Sequence, residues 1–373
     1  MNPDEFRERM RIGITYNART TESAGTADDP TREFDDMKTV FDIMEVIQNA
    51  GYHTTVIEAD ERCYESLKRS LAGSETSAVG HIDLVFNIAE GIRGESRESH
   101  IPAMLEMLGI PYSGSGPLGL AITLDKQLTS ELLAPYGLAP KGTLVSTAED
   151  LDVLLVRSEF GDVEYPLIVK PNAQGSSVGI SDDALVRDAS ALKNVATRGL
   201  MTLGALRIEE YLSGREFTVG LLGNPPDVLP IIEVRYDGLP AGMNPIDSFE
   251  AKWLLDDPVH GHDPLTCPVD IEPALEDRIC VATKRAFALT RCRDLARIDV
   301  RLDTAGRPKV IDINALPGLI KDSAANSRFP RACYTRGMRY DDIILSILHT
   351  AMERYGMKHP GNGFAATRPS LGT

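Results

Sequence analysis

The chain has 373 residues, 42% of them hydrophobic and 25% charged, an ordinary globular balance. That length allows about two to three domains with sizeable cores. Its 39 basic and 55 acidic side chains leave a net charge of −16 with no basic run to offset it, which argues against a nucleic-acid surface. Cys63, Cys267, Cys280, Cys292 and Cys333 are odd in number and form no CxxC pair, so reduced thiols in a cytoplasmic protein are expected. The N-terminus, MNPDEFRERMRIG, is charged and lacks an apolar signal core. No apolar run reaches the roughly 18 residues that a membrane-spanning helix needs.

In chain order, Arg11–Tyr16 reads as a first buried strand, and residues 17–30 as a polar loop of small residues. Residues 33–50 carry Met37, Val40, Phe41, Met44 and Ile47 at helical spacing, with Gly51 where helices commonly end. Residues 54–58 read as a strand, 64–71 as a helix and 82–88 as another strand. This alternation predicts an open parallel α/β domain. Ligands of such sheets bind beyond the carboxyl ends of the strands. Glu90, Arg93, Glu95 and Arg97 are therefore candidate substrate contacts, although a solvated charged loop is the plainer account of them taken alone.

A helix over 99–108 follows, then a turn-rich crossing at 110–116 and a helix over 118–136 carrying Asp125 and Lys126. Gly142–Val145 and Leu167–Pro171 read as strands flanking a helix, whose start fits a capping box from Ser146 to Glu149. Residues 170–179, KPNAQGSSVG, then join a lysine to a small-residue loop. Gly175 and Gly179 let backbone approach a ligand, and the Ser176 and Ser177 hydroxyls with the loop N–H groups suit phosphate oxygens. The loop is neither GxxxxGK nor GxGxxG, and alone it reads equally as a Gly/Ser hairpin turn. Further strands are expected over 206–211, 216–222 and 230–236, with Glu209, Glu210 and Glu216 along them. Trp253 reads as a half-buried packing residue, and His260 and His262 as part of a polar loop that needs no metal. Helices are expected over 275–290 and 340–355, before a Pro/Gly-rich loose tail.

Residues 296–323 organise the rest. Two alternating runs, 298–302 and 309–314, flank a turn and predict a hairpin. Period-two geometry puts Asp312 and Asn314 on one face, where Asp299 can join them. Two carboxylates and an amide are hard oxygen ligands, and Mg²⁺ completes so small a set with water and substrate phosphates. The stretch reads as a metal–nucleotide site, or else as a hairpin with acidic residues on its wet face.

Together these residues resemble the ATP-grasp superfamily, and most closely its D-alanine–D-alanine ligase family. The resemblance rests on GIPYSGSG with LDK (109–126), PLIVKPNAQGSSVGIS (166–181), IEEYLSGREFTV (208–219), FEAKW (249–253) and ARIDV…VIDINALPGL…S (296–323), in the family's order. It implies an ATP-grasp fold: an N-terminal open parallel α/β domain over 1–120, ATP-clamping lobes over 121–212 and 213–355, and a tail over 356–373. It implies ATP with Mg²⁺, as two ions or with Mn²⁺ in their place. Lys126, Lys170, Gly175, Ser176, Ser177 and Lys252 would hold phosphates, and Glu209, Glu210, Leu212 and Glu216 the adenosine. Asp299, Asp312 and Asn314 would be the metal ligands. Arg297 and the Gly318 backbone would form the oxyanion site, with Ser176 and Lys252 also catalytic. Ser323 would bind the carboxylate of the amine donor. The family also implies a homodimer formed through the N-terminal domain.

Three departures bear on substrate. Residues 17–30 lack the family's glutamate segment for the first alanine's ammonium, Glu90 replaces a histidine, and Trp253 replaces a tyrosine. The expected function is therefore an ADP-forming carboxylate–amine ligase with a rebuilt first-substrate pocket that takes small-molecule substrates. Glu90, Arg93, Trp253 and Ser323 are its substrate contacts. A role in specialised or natural-product biosynthesis is expected; a D-alanine–D-alanine ligase with a divergent pocket and a non-catalytic nucleotide-binding paralogue are the other readings.

Overall fold

The computed structural model describes residues 10–19, 34, 36–71, 81–159, 161–255 and 263–359, apart from the side chains of Trp253 and Leu254. Most of the loop over 17–30, both histidines at 260 and 262, and the tail beyond 359 lie outside the described residues. Three parallel strands form the first sheet: β1 (Arg11–Tyr16), β2 (His53–Glu58) and β3 (Leu84–Asn87), in the order β2-β1-β3. Parallel neighbours need a crossover, and the helix Met37–Asn49 supplies the first. It starts on Asp36, whose carboxylate accepts the Lys38 N–H, and it buries Val40, Ile43, Val46 and Ile47.

The second sheet is antiparallel: β4 (Gly142–Val145), β5 (Leu167–Pro171), β6 (Leu185–Val186) and β7 (Leu206–Glu210), ordered β4-β7-β5-β6. Helices Ala148–Glu159 and Ala189–Leu203 share its core with Val145, Leu167, Val169 and Ile208. The third sheet holds β8 (Glu216–Leu222), β9 (Asp227–Val228), β10 (Ile232–Val234), β11 (Leu265–Thr266), β12 (Leu295–Leu302) and β13 (Pro308–Asn314). Its order is β11-β10-β8-β12-β13, with β9 on β8. The predicted hairpin is β12–β13, and its register sets Asp299 opposite Asp312 and Arg297 opposite Asn314. Val300 then pairs with Val310, so Ile311 is an extra residue in the ladder.

The helix Tyr340–Arg354 packs its Ile343, Ile344, Ile347 and Leu348 into one core with Ile12, Ile14, Ile43 and Ile47, which docks it on the first sheet and its crossover helix. All five cysteines are free thiols. No helix among the described residues is long and apolar enough to cross a membrane.

Several boundaries differ from expectation. The helix expected over 118–136 is two, Pro117–Leu124 and Lys126–Leu133, broken at Asp125. There the backbone leaves the helical region so that the carboxylate can accept the Leu128 N–H and cap the second helix. The capping box lies one residue later than expected: Thr147 Oγ1 accepts the Asp150 N–H while Asp150 takes the N–H groups of Ser146 and Thr147. The strand expected over 230–236 is only three residues long.

Candidate active site

Two open clefts meet where the second and third sheets face each other. The first, of about 750 Å³, is lined by Lys126, Lys170, residues 174–177, residues 209–212, Glu216, Lys252, Arg297, Asp299 and Asp312. The second, of about 740 Å³, is lined by Glu90, Glu98, Ser176, Asn314 and Gly318 among others. Lys126, Gln174, Gly175, Ser176, Arg297 and Asp312 line both.

Strand geometry explains the first cleft. Residues 167–171 and 206–210 are antiparallel neighbours, so Lys170 and Glu209 both reach its wall. Lys170 Nζ contacts Glu209 Oε1, and the other carboxylate oxygen accepts Arg207 Nε at 2.7 Å. Arg207 is 2% exposed and also donates to Ser130 Oγ at 2.7 Å. Glu216 is fixed the same way by Arg301 Nη1 at 3.0 Å, and Arg301 reaches the Tyr211 hydroxyl and the Pro245 carbonyl at 2.8 Å each. Burial raises the Glu216 carboxyl above its ordinary range, against the pull of Arg301. A buried carboxylate without such a partner would be driven to protonate.

At the junction, Lys126 Nζ lies 3.2 Å from Asp312 Oδ1 and donates to the Gln174 carbonyl at 2.7 Å, tying the hairpin to the Gly/Ser loop. Ser176 and Ser177 hold φ of +50° and +58°. Non-glycine residues adopt that region only when surrounding contacts hold them there. Glycine is required at 179, where φ is +73° and a Cβ would stand 2.5 Å from Leu203 Cδ1. The Gln174 side-chain carbonyl is buried and has no hydrogen-bond partner among the described residues.

Asp299 is 6% exposed. It accepts Thr218 Oγ1 at 2.7 Å and Arg297 Nη2 at 2.9 Å. Burial pushes its carboxyl up, but Arg297 and Arg328 overcome this and hold it below the ordinary value. The Asn314 amide is 3.4 Å from carboxylate oxygens of both Asp299 and Asp312. Two carboxylates and an amide on one face fit a hard divalent cation that shares its shell with phosphate oxygens. Among the described residues no group of three or more His, Cys, Asp or Glu side chains could hold a metal by itself.

The expected site residues do not all converge. Glu90 and Gly318 face the second cleft. Arg93 does not: its side chain is 82% exposed and 3.7 Å from Glu61, because β3 ends in a surface turn that carries it into solvent. Ser323 is exposed in a separate cleft that Ser327, Arg331 and Tyr334 also line, and Ser327 in addition donates to the Gly318 carbonyl at 3.1 Å. The short helical turn Ser323–Ala325, capped by Asp322, swings Ser323 away. The Trp253 side chain lies outside the described residues. Sequence reasoning passed over Arg207, Arg301, Asp247, Arg328 and Glu98, since single charges among many carry no local pattern.

A phosphate-suited loop from one antiparallel sheet, closing over an acidic hairpin from another, defines an ATP-grasp enzyme. The family model described as D-ala D-ala ligase C-terminus matches residues 143–349. The D-alanine–D-alanine ligase of Bordetella pertussis is 31% identical over 345 residues, 91% of this chain and 95% of that protein. A protein of Sinorhizobium fredii called y4sG, whose name assigns it no activity, is 34% identical over 84% of this chain and 87% of its own length. Among solved structures, the Bacillus anthracis D-alanine–D-alanine ligase complexed with ATP superposes with a TM-score of 0.68 at 23% identity, covering 93% of this chain and 99% of that one. The chain belongs to the D-alanine–D-alanine ligase family, ATP-dependent, ADP-forming carbon–nitrogen ligases.

Proposed function

We propose that the protein joins a small carboxylate substrate to an amino acid by way of an acylphosphate, and that its first substrate differs from D-alanine. The observation that carries this is the pair of clefts sharing six residues, one suited to a nucleotide and the other to what reacts with it. A carboxylate oxygen of the first substrate would attack the γ-phosphorus of ATP, the bond to the β-phosphate oxygen would break, and ADP would leave. The amine would then attack the acyl carbon, lose a proton and expel phosphate. Lys126, Lys170, Lys252 and the backbone N–H groups of 175–179 would offset charge on the transferring phosphoryl group. Arg297 and the Gly318 N–H would face the oxyanion formed when the amine adds. A divalent metal at Asp299, Asp312 and Asn314, Mg²⁺ in this reading, would polarise the phosphates. Closure of the Gly/Ser loop would keep water from the acylphosphate.

Glu90, Glu98, Lys126 and Arg297, which line the second cleft together, favour a first substrate that carries a cation as well as its carboxylate, as any free amino acid does. Ser327 replaces Ser323 in this reading as the hydroxyl offered to the amine donor's carboxylate. The three sheets support the division at residues 120 and 212, and the free thiols support a cytoplasmic setting. Family membership favours a second reading equally well, synthesis of D-alanyl-D-alanine.

The test is ADP release from MgATP with D- and L-amino acids supplied singly and in pairs, with products identified by mass spectrometry. An amide product from a pair other than two D-alanines is expected. Turnover on D-alanine alone would establish the second reading, and ATP binding without turnover on any pair would leave a nucleotide-binding paralogue.

A further inference from the structure

Resting on the reading of the first cleft as an ATP site, we propose that Asp247, pinned by Arg328, is the positioning residue that aims Lys252 at the nucleotide phosphates and holds the Gly/Ser loop beside it. Asp247 and Lys252 both line the first cleft, next to Ser176, Ser177 and Arg297. Arg328 lies behind them at the start of the helix Arg328–Thr335 and is 6% exposed. Its Nη2 donates to Asp247 Oδ1 at 2.8 Å. The backbone carbonyl of the same aspartate accepts Ser177 Oγ at 2.8 Å, and two residues on, the Phe249 N–H donates to the Ile180 carbonyl at 2.7 Å. One short segment therefore grips the phosphate loop with its backbone and a buried arginine with its side chain.

Charge explains why the pair is needed. Burial brings the Lys252 ammonium down to about 8; Asp247 is the main influence opposing that fall, while Arg328 and Arg297 add to it. Burial pushes the Asp247 carboxyl up, and Arg328 and Lys252 outweigh it and keep the group ionised. Arg328, in turn, keeps its charge despite burial because Asp247 and Asp299 face it. Asp247 thus stands between two cations. Arg328 takes one carboxylate oxygen and fixes the group, so Lys252 keeps a counter-charge at the cleft wall. Without Arg328, the carboxylate would close on Lys252 and compete with phosphate. Without Asp247, two buried cations would face each other.

Binding of MgATP, measured by calorimetry with no second substrate, is the test. In Asp247→Asn and in Arg328→Gln the dissociation constant is expected to rise about tenfold, the size of one lost charge-assisted hydrogen bond. The double variant D247N/R328Q removes both charges, so its melting temperature should return to within about 2 °C of wild type while the affinity stays weak. A purely structural ion pair would recover both together. Arg328→Lys keeps charge and fold but loses the planar fork, and a severalfold weakening is expected. Wild-type affinity in D247N or R328K, or affinity that recovers with melting temperature in the double variant, would overturn the inference alone. A wild-type protein that does not bind MgATP would overturn the underlying ATP reading as well.

Discussion

Replacing Arg207 by methionine isolates the way this fold keeps an acidic side chain in its nucleotide cleft. Glu209 is 3% exposed and is held between Arg207 and Lys170, and Arg207 also satisfies Ser130 Oγ and the Pro140 carbonyl at 2.7 and 3.1 Å. Methionine preserves much of the arginine stem while deleting every one of those donors. Breaking a buried pair by removing one partner costs about 3–5 kcal/mol, because the remaining charge keeps its desolvation penalty. For a cooperative unit of roughly 150–250 residues, that is a fall in melting temperature of about 6 °C or more. Among the described residues Glu209 would then have Lys170 as its one ion-pair partner and would hold it more tightly. Phosphate would compete less well for Lys170, and KM for ATP should rise about tenfold. Differential scanning fluorimetry reads the first effect and initial-rate kinetics the second. Adding Glu209→Gln to R207M should recover more than about 1.5 kcal/mol of stability, the signature of a coupled pair. A melting shift under about 2 °C with unchanged KM would show that Arg207 does not hold Glu209 in this way.

Three further outcomes follow from the site. Lys252 titrates near 8, so its positive charge is present below that pH and is lost as pH rises through it; kcat/KM for ATP should fall on the alkaline side, and a flat profile from about pH 7 to 9.5 would contradict this. Chelation with EDTA should abolish turnover and leave the melting temperature of the ATP-free protein nearly unchanged, with Mg²⁺ or Mn²⁺ restoring activity, since the three oxygen ligands already have protein partners. Ser327→Ala should raise KM for the amine donor about tenfold while Ser323→Ala changes it little; the reverse ranking in steady-state kinetics would restore Ser323 to the site.

Sequence carried the fold where periodicity was strong. The helix at Met37–Asn49 and the hairpin of β12 and β13 were legible because one apolar face repeats at a single period. The helix expected over 118–136 broke at Asp125 because one capping carboxylate outweighs continued apolar spacing. Within the site, Lys126, Ser176 and Asp312 sit in ordered motifs and were found from them. Arg207, Arg301 and Arg328 were invisible: each has a partner at least 77 residues away along the chain, and nothing local marks a buried arginine. Ser323 lies in an exposed helical turn, Ser323–Ala325, which spacing after Gly318 cannot register.

The extra residue at Ile311 has a consequence for how this active site tolerates change. Along β13 the buried positions are Pro308, Val310 and Ile313, so the inward phase slips by one residue between 310 and 313. In an unbroken ladder Asp312 and Asn314 would share a face with Val310 and point into the hydrophobic layer. The slip turns them outward while the first half of the strand stays docked, and it frees the Ile311 carbonyl to face Lys170 Nζ at 3.4 Å. The strand thus carries two reading frames, one for packing and one for chemistry. Side chains on either half can vary independently, and loss of the extra residue at 311 would restore a single frame in which Pro308, Val310 and Ile313 face inward and both oxygen ligands still face outward, at the cost of the carbonyl offered to Lys170.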